Sequence, residues 1–297
     1  MTPHITVCIC TFKRPRLLEG LLDAIKAQRT DGCFTFDIVV VDNDVAHSAE
    51  QVVRIFAASS GIAATYCVER EQNISLARNM AVGRAEGDVL AFIDDDEVPT
   101  TEWLLYLLQT RLKYHADAVL GPVLGRFERE PAAWVVKGRF FDRPRHPTGC
   151  SIRWSEARTG NVMVGKDVCS ALETPFRPQF GNGGEDVDFF RRATDAGRQI
   201  VWCDEAVVHE WVPLHRATRR FLMRRALLRG SNFPKQSAHR LRNILKSIVA
   251  IPCYTLALPI FAIRGHHVFV AYLVKLLDHT SRLLAMAGVR LSTERQH

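Results

Sequence analysis

The sequence lacks any two cysteines with the spacing of a thiolate metal site, in which two residues separate the pair, although it contains eight cysteines. Several of them lie in apolar, strand-like runs, as Cys8 and Cys10 do. This pattern excludes a zinc site built on such pairs and gives no sign of a disulfide framework. We interpret the cysteines as buried free thiols of a protein in a reducing compartment.

The N-terminus also lacks the basic and apolar regions of a secretory signal peptide, because a strand-like run begins at once, near His4. Internal repeats and low-complexity segments are missing too, which excludes solenoids and other repeat arrays. Because the sequence shows no signal peptide, the body of the protein is expected in the cytoplasm. With 297 residues, 47% of them hydrophobic, the chain has enough apolar material for one large or two ordinary domains.

Acidic residues are scarce in the C-terminal part of the chain. Residues 209–297 hold 15 Lys and Arg against 3 Asp and Glu, a net charge of +12. Residues 1–208 hold 24 basic and 29 acidic residues, a net charge of −5. A basic tail on a slightly acidic body suits an anionic surface, and the charge alone is compatible with membrane lipid or nucleic acid.

The basic tail is also apolar. Arginines recur at helical spacing over residues 216–229, which predicts a basic amphipathic helix that anchors at an interface or holds a lipid diphosphate. Residues 244–263 include 15 apolar residues in 20, and twenty helical residues span about 30 Å, the thickness of a bilayer core. Because two prolines and a lysine interrupt this run, we favour a membrane-embedded or interfacial hairpin with a second, short helix at 268–277. A soluble helical subdomain is the alternative.

The N-terminal part alternates strand-like and helix-like segments, which predicts an α/β fold with a doubly wound, mostly parallel sheet. In such sheets ligands bind outside the carboxyl ends of the strands. Thr11, Asp42 and the triplet Asp94–Asp96 all fall at predicted carboxyl ends. Their coincidence at one edge indicates a binding site.

The acidic triplet follows directly on the apolar run Val89–Ile93. Three adjacent carboxylates repel one another, and burying them costs several kcal/mol unless a cation compensates the charge. Hard oxygen ligands suit Mg²⁺ or Mn²⁺, which commonly share their coordination shell with substrate phosphates. The alternative is an acidic turn that caps the helix beginning near Thr100.

Six segments, in this order and spacing, resemble the motifs of the inverting, nucleotide-sugar-dependent glycosyltransferases of family 2, which have the GT-A fold. They are VCICTFKRP at 7–15, VVVDND at 39–44, NISLARN at 73–79, FIDDDEVP at 92–99, GEDVDFFRR at 184–192, and His209. The resemblance covers residues 4 to about 230 and is strongest to the bacterial exopolysaccharide branch. It implies a GT-A catalytic domain at 1–214, with a nucleotide-sugar half at about 1–127 and an acceptor half at about 128–214. Residues 215–297 would form the membrane-associated region.

The resemblance implies roles for the donor-site residues, namely Thr11, Asp42, Asp44, Asn73, Arg78, Asn79, Asp94 and Asp95. Thr11 would lie against the nucleotide, Arg78 would contact it, and the two asparagines would shape the pocket. Asp42 would accept a hydrogen bond from the base, uracil for a UDP-linked donor, and Asp44 could share that task. Ser75 departs from the pattern, since many relatives have Gly there. Arg14 is either solvated or a phosphate ligand.

The same resemblance places Asp94 at the ribose and Asp96 at the metal, although the triplet leaves this register open by one residue, so Asp94 is also a candidate metal ligand. His209 would complete the metal shell. In glycosyl transfer with inversion an acceptor hydroxyl needs a general base opposite the leaving group. Asp186, at a helix start behind a glycine loop, is the predicted base and ranks above Asp188.

Glu185 and Trp211 are the predicted acceptor-binding residues, although Trp211 could either stack on a sugar ring or simply pack. The segment after His209 has no QxxRW motif, which argues against a processive synthase and for addition of one sugar per encounter. The expected reaction moves a sugar from a UDP-sugar to a polyprenyl-diphosphate-linked oligosaccharide at the cytoplasmic face of the inner membrane. An anionic membrane surface is an expected partner, and nucleic acid is not.

Two rival functions use the same fold. A sugar nucleotidyltransferase also needs strand-end aspartates and a metal, but it would normally have a glycine-rich loop after the first strand. Here that loop, 11–15, contains no glycine. A non-catalytic, membrane-associated binding protein is the other rival, and the complete set of Asp94–Asp96, Asp186 and His209 argues against it.

Overall fold

A computed structural model describes residues 2–181, 183–236 and 240–289. The chain divides into two compact units. The first, which we call the sheet unit, comprises Met1–Leu124 and Arg143–Glu210. The second, the helical unit, comprises Gly125–Asp142 and Trp211–His297. The functional division of the chain between residues 214 and 215 remains a prediction.

Ten β-strands form within the described residues. They are β1 His4–Thr11, β2 Thr35–Asp42, β3 Ala64–Val68, β4 Val89–Asp94, β5 Glu97–Pro99, β6 Ala118–Leu120, β7 Val123–Phe127, β8 Asn161–Gly165, β9 Ile200–Trp202 and β10 Val208–Val212. Seven of them build one sheet in the order β3-β2-β1-β4-β8-β6-β9, and β5, β10 and β7 build a smaller one. In the large sheet β8 alone runs antiparallel to its neighbours β4 and β6. The predicted mostly parallel α/β sheet is thus confirmed.

The described residues also form ten α-helices. They are α1 Pro15–Lys26, α2 Glu50–Ser60, α3 Ile74–Arg84, α4 Trp103–Tyr114, α5 Ala133–Lys137, α6 Lys166–Ser170, α7 Glu185–Asp195, α8 Arg219–Gln236, α9 Arg240–Arg264 and α10 His266–Met286. Local sequence explains the starts of two of them: Pro15 occupies the first turn of α1, and the Asn73 side chain accepts hydrogen bonds from two backbone N–H groups of α3.

The core of the sheet unit lies on both faces of the large sheet. Alternate residues of β1 face opposite ways, so Ile5, Val7 and Ile9 join one apolar cluster while Cys8 joins the other. Helix α1 covers the first cluster with an apolar stripe, Leu18, Leu21, Leu22 and Ile25, at helical spacing. Because both faces are buried, the central strands read as continuous apolar runs.

In the helical unit, α10 packs against both α8 and α9. The prediction that the second apolar helix ends near residue 277 is wrong, because α10 continues to Met286. Its polar second half finds partners: Asp278 pairs with Arg282 at 2.8 Å, and the Ser281 hydroxyl donates to the carbonyl of Leu227. Among the described helices, Ile244–Arg264 is the segment long and apolar enough to cross a membrane by length and composition.

Candidate active site

The predicted site residues at the carboxyl ends of β1, β2 and β4 lie side by side. Parallel pairing sets Thr11 opposite Asp42 and Cys10 opposite Asp94. The sequence prediction that these strand ends meet at one edge therefore holds in the structure. Each strand ends where its buried apolar run ends, so the polar residues that follow the runs lie at this edge.

The three aspartates have different surroundings. The Asp95 and Asp96 side chains are buried, whereas that of Asp94 is 48% exposed. Thr11 Oγ1 donates to Asp95 Oδ2 at 2.8 Å. Arg14 Nη1 donates to Asp95 Oδ1 and to Asp96 Oδ2, each at 3.1 Å. Helix α4 instead begins after Glu102, so the triplet does not cap it as the alternative interpretation required.

Negative charge remains in excess around the triplet. Burial, and then the carboxylates of Asp94, Asp95 and Glu210, raise the pKa of Asp96 to about 6 despite the opposing effect of Arg14. Burial and Asp94 likewise raise the pKa of Glu97 well above its ordinary value. Glu97 Oε2 accepts a hydrogen bond from the Asp94 backbone N–H at 3.1 Å. A bound cation would relieve this repulsion.

A buried arginine links the triplet to the start of α7. Arg78 donates from Nη2 to Asp94 Oδ1 at 3.2 Å and from Nη1 to Glu185 Oε1. Burial alone would lower the pKa of Arg78, but Glu185 and Asp94 outweigh it and raise that pKa. Two sites that are far apart in the sequence, the strand end and the helix start, are therefore held together by one guanidinium group.

The predicted base, Asp186, lies in the first turn of α7 with a side chain 16% exposed. Its Oδ1 accepts the Val187 backbone N–H at 2.7 Å, and Arg158 Nε lies 3.7 Å from Oδ2. Asp186 also contributes to the raised pKa of Arg78, which places its charge near that guanidinium. The carboxylate is thus partly accessible and follows Glu185, which Arg78 links to Asp94.

Asp188, two residues farther along α7, has different surroundings from Asp186. Its side chain is 1% exposed, and three arginines surround it. Arg177 makes two hydrogen bonds to it at 2.8 and 2.7 Å, Arg192 Nε makes one at 2.9 Å, and Arg191 lies at 3.4 Å. These contacts stabilise the fold around α7 and leave Asp188 poorly placed to receive a proton from a substrate.

Several predicted donor-site residues fix the loops around the candidate site. Asp42 accepts hydrogen bonds from the backbone N–H groups of Asp44 at 3.0 Å and Ala49 at 2.8 Å, and from the Tyr66 hydroxyl at 3.0 Å. Asp44 Oδ1 accepts the Ala46 N–H at 3.2 Å. Asp42 therefore holds the loop that carries Asp44, and its own oxygens are already engaged.

The two predicted pocket asparagines join α3 to the segment before α7. Asn73 Nδ2 donates to the carbonyl of Pro178 at 3.1 Å. Asn79 pairs with the backbone of Phe176 in both directions, at 2.7 and 2.9 Å. Both side chains thus shape the site through the backbone that they hold.

Sequence reasoning missed Asn43, Glu97 and Gly160. Asn43 donates to the carbonyls of Glu69 and Glu71 at 2.9 and 2.6 Å and accepts the Asn73 N–H at 2.9 Å. Its position between two candidate aspartates was the available signal. Glu97 and Gly160 lie close together in the structure. Their contact depends on the pairing of β8 with β4, and such a contact between distant segments leaves no local pattern in the sequence.

The last two candidates, His209 and Trp211, both lie in β10. The β5–β10 register sets His209 opposite Val98 and Glu210 opposite Glu97. Trp211, in the helical unit, has the Arg126 guanidinium 5.3 Å from its ring centre. Within the part of the chain that the structure describes, no group of three or more His, Cys, Asp and Glu side chains is arranged to hold a metal ion. The ligand set of Asp94, Asp96 and His209 remains a prediction.

The donor chemistry of the triplet nevertheless fits Mg²⁺ or Mn²⁺. Such ions are usually bound through one or two carboxylates together with water and substrate phosphates, so a closed cage of protein ligands is not required. Asp94 is accessible, and burial together with the neighbouring carboxylates raises the pKa of Asp96 to about 6. These two carboxylates are the residues that would hold the ion.

Gly160 offers a test of this packing. A Cβ at that position would lie 2.7 Å from Glu97 Oε1 and 3.1 Å from Asp94 Oδ2. We expect Gly160→Ala to displace the two carboxylates, to reduce the activity of the site at least tenfold, and to destabilise the protein by about 1–3 kcal/mol. Gly20→Ala in α1, where a Cβ meets nothing within 4 Å, is the control and should keep full activity. Wild-type activity and melting temperature in Gly160→Ala would contradict this geometry.

Comparison with known proteins identifies the family. The model for glycosyl transferase family 2 matches residues 6–161. The succinoglycan biosynthesis protein ExoM of Rhizobium meliloti is 35% identical over 248 residues, which are 81% of this chain and 78% of ExoM. Glycosyltransferase AglE of Haloferax volcanii is 26% identical over 207 residues, 69% of this chain and 66% of AglE.

Solved structures support the fold. The mannosyltransferase PcManGT from Pyrobaculum calidifontis, in complex with GDP-Man and Mn²⁺, matches with a TM-score of 0.65 at 20% identity, over 99% of this chain and 89% of that one. S. aureus TarS in complex with UDP matches with a TM-score of 0.56 at 14% identity, over 98% and 94%. At these identities the similarity establishes the GT-A fold alone. Because the family model spans more than half of the sequence and ExoM aligns with most of it, the chain belongs to glycosyl transferase family 2 and is a glycosyltransferase.

Proposed function

We propose that the protein is an inverting, metal-dependent glycosyltransferase that transfers one sugar at a time from a UDP-sugar to a saccharide acceptor. The observation that supports this best is the link through Arg78, whose guanidinium contacts both Asp94 and Glu185. It brings the first turn of α7, with Asp186, to the acidic end of β4. A base and a leaving-group site must lie close together for inverting transfer.

In the proposed reaction, Asp186 accepts the proton of an acceptor hydroxyl. The hydroxyl oxygen bonds to the anomeric carbon of the donor sugar while the bond from that carbon to the diphosphate oxygen breaks. The nucleoside diphosphate leaves with the bonding electron pair. A divalent cation held by Asp94 and Asp96, when bound, supplies Lewis-acid stabilisation of the diphosphate charge. Glu185, fixed by Arg78, stands beside the base and would orient the acceptor.

On the donor side, we assign the nucleotide to the edge formed by Thr11, Asp44 and Asp94. Asp42 engages its oxygens in holding the loop, so Asp44 is the better candidate for the base contact. Two neighbours in fold were solved with UDP and with GDP-Man, which supports a nucleotide-sugar donor of one of these classes. Of the UDP-linked and GDP-linked donors, we propose the UDP-linked one.

A donor panel tests this proposal. Purified protein incubated with Mn²⁺ and UDP- or GDP-linked sugars should hydrolyse or transfer from UDP-sugars, and EDTA should reduce the rate at least a hundredfold. Turnover of GDP-sugars only would overturn the choice of base, and full turnover in EDTA would overturn the metal. Mass spectrometry of an extended lipid-linked oligosaccharide would identify the product.

We further propose an acceptor linked to polyprenyl diphosphate, in exopolysaccharide or cell-surface polysaccharide synthesis, at the cytoplasmic face of the inner membrane. ExoM, the relative at 35% identity, is a succinoglycan biosynthesis protein. The basic, apolar tail supports a membrane location, with 15 Lys and Arg against 3 Asp and Glu over residues 209–297.

The outer face of α9 is the proposed membrane contact. Large apolar side chains on it are exposed, including Leu245, Val249, Leu256, Ile260 and Ile263. The charged residues of α10 indicate that α9 lies parallel to the membrane surface. Helix α10 packs on α9 and carries an ion-paired carboxylate, Asp278, so an upright α9 would bring that charge into hydrocarbon at a cost of several kcal/mol. An in-plane helix avoids this cost.

Two substitutions on this face test the contact. We expect Leu256→Ser combined with Ile260→Ser to weaken binding to anionic phosphatidylglycerol vesicles at least tenfold, because burying each large apolar side chain contributes about 1.5–3 kcal/mol. Leu112→Ser in α4, at a leucine that is also exposed, is the control and should bind as the wild type does. Vesicle sedimentation measures the effect, and unchanged binding of the double variant would contradict the assignment.

A further inference from the structure

Arg14 occupies the position where a cation would be needed. Its Nη1 lies 3.1 Å from Asp95 Oδ1 and 3.1 Å from Asp96 Oδ2, so one nitrogen bridges two carboxylates. The Arg14 side chain is itself 21% exposed, and both carboxylates are more deeply buried. The guanidinium therefore supplies, without any ligand, part of the charge compensation that the triplet requires.

The backbone holds Arg14 in this place. It is the residue before α1, and its carbonyl accepts hydrogen bonds from the N–H groups of Leu17 and Leu18, both at 3.1 Å. Pro15 follows with a fixed backbone angle, and Lys13 precedes with a φ of 56°. The turn between β1 and α1 is thus short and tightly defined, which directs the Arg14 side chain over the end of β4.

A divalent ion and Arg14 would compete for the carboxylate of Asp96. Asp96 Oδ2 already accepts the guanidinium N–H, and Asp96 is one of the two carboxylates assigned to the metal. A cation approaching the triplet would meet a fixed positive charge and would have to displace it from Asp96. A bound nucleoside diphosphate would offer Arg14 another partner, because its oxygens can accept hydrogen bonds from the guanidinium group.

We propose that Arg14 is a positioning residue that acts as the counter-ion of Asp95 and Asp96 in the donor-free enzyme and makes metal binding depend on the donor. The inference rests on the proposed function, in which Asp94 and Asp96 hold the metal. Free Mn²⁺ binds weakly because it competes with Arg14. When the donor diphosphate draws Arg14 away from Asp96, the metal binds more tightly, so metal and nucleotide favour each other's binding.

The test measures Mn²⁺ binding directly, by the loss of the free-ion electron paramagnetic resonance signal, with and without UDP and after subtraction of Mn²⁺ bound by UDP alone. For the wild type, UDP should tighten Mn²⁺ binding at least tenfold. Arg14→Gln should bind Mn²⁺ alone at least tenfold more tightly than the wild type, and UDP should add little further. These changes lie in the usual range of coupling between two ligands, about 5- to 150-fold.

Lys13→Gln is the matched control, since it removes the same charge from the same turn. Lys13 is exposed, and its Nζ lies 5.0 Å from the ring centre of Phe12. It should change Mn²⁺ affinity less than threefold. Arg14→Lys keeps the charge without the planar fork and should fall between the wild type and Arg14→Gln, which provides a second variant if Arg14→Gln folds poorly.

Two outcomes separate the inference from the function on which it rests. If the wild type binds Mn²⁺ with UDP but folded Arg14→Gln and Arg14→Lys bind Mn²⁺ alone no more tightly than the wild type, the role of Arg14 is wrong and the metal site stands. If no protein binds Mn²⁺ even with UDP, metal dependence is overturned, and the inference with it.

Discussion

Asp186→Asn is expected to lower kcat for sugar transfer by a factor of about 10² to 10⁴, the usual contribution of a general base. The substitution keeps the size of the side chain and removes its ability to accept a proton. Asp186 is partly accessible, in contact with Arg158 at 3.7 Å, and its neighbour Glu185 is tied to Asp94 through Arg78. Binding of the donor should change little, because the assigned donor contacts lie elsewhere.

Steady-state kinetics with a lipid-linked acceptor would show this loss as a fall in kcat at nearly constant KM for the donor. Asp195→Asn is the matched control, because Asp195 lies on the same helix and is exposed in its last turn. It should retain wild-type kinetics. If nucleotide-sugar turnover survived Asp186→Asn unchanged, Asp186 would not be the base.

Asp188→Asn, in contrast to Asp186→Asn, should mainly lower the free energy of unfolding. The buried carboxylate, 1% exposed, is the shared partner of Arg177, Arg191 and Arg192. An uncharged amide leaves three guanidinium groups close together without their counter-ion. Removing one partner of a buried ion pair costs about 3–5 kcal/mol, and we expect about 2–4 kcal/mol here because the arginines are partly solvated.

Urea unfolding followed by circular dichroism measures this change. Asp167→Asn is the control: Asp167 also pairs with an arginine, at 2.8 Å, but its side chain is 59% exposed. Its loss should cost no more than about 0.5–1 kcal/mol. A stable Asp188→Asn protein with no transferase activity would instead make Asp188 the candidate base and would reverse the ranking of the two acids.

Much of the fold followed from local patterns. The apolar, β-branched runs of β1, β2 and β4 predicted buried parallel strands, and the polar residues after them located the edge where Thr11, Asp42 and Asp94 meet. Family membership now removes the rival nucleotidyltransferase and the non-catalytic protein in favour of a glycosyltransferase. These conclusions depend on short-range periodicity and on motifs that a sequence contains explicitly.

Contacts between distant segments could not be predicted in this way. Arg14 had two plausible roles from sequence, solvated or phosphate-bound, yet it binds carboxylates 81 and 82 positions away. The apolar run predicts a helix end near Leu277, too early, because the run itself stops before Asp278. The partners of Asp278 and Ser281, Arg282 and the carbonyl of Leu227, satisfy them only once α10 is packed against α8.

The side chains of α3 that reach toward α7 limit how this enzyme can be re-engineered. Asn73, Arg78 and Asn79 bind Pro178, Glu185 and Phe176, so α3 and the residue before it support the backbone that carries Asp186, the predicted base. A chimera that imports residues 143–210 from a relative to change the acceptor must therefore import compatible partners for these three side chains. Exchange of residues 143–210 without matching changes in these three side chains should therefore yield inactive hybrids.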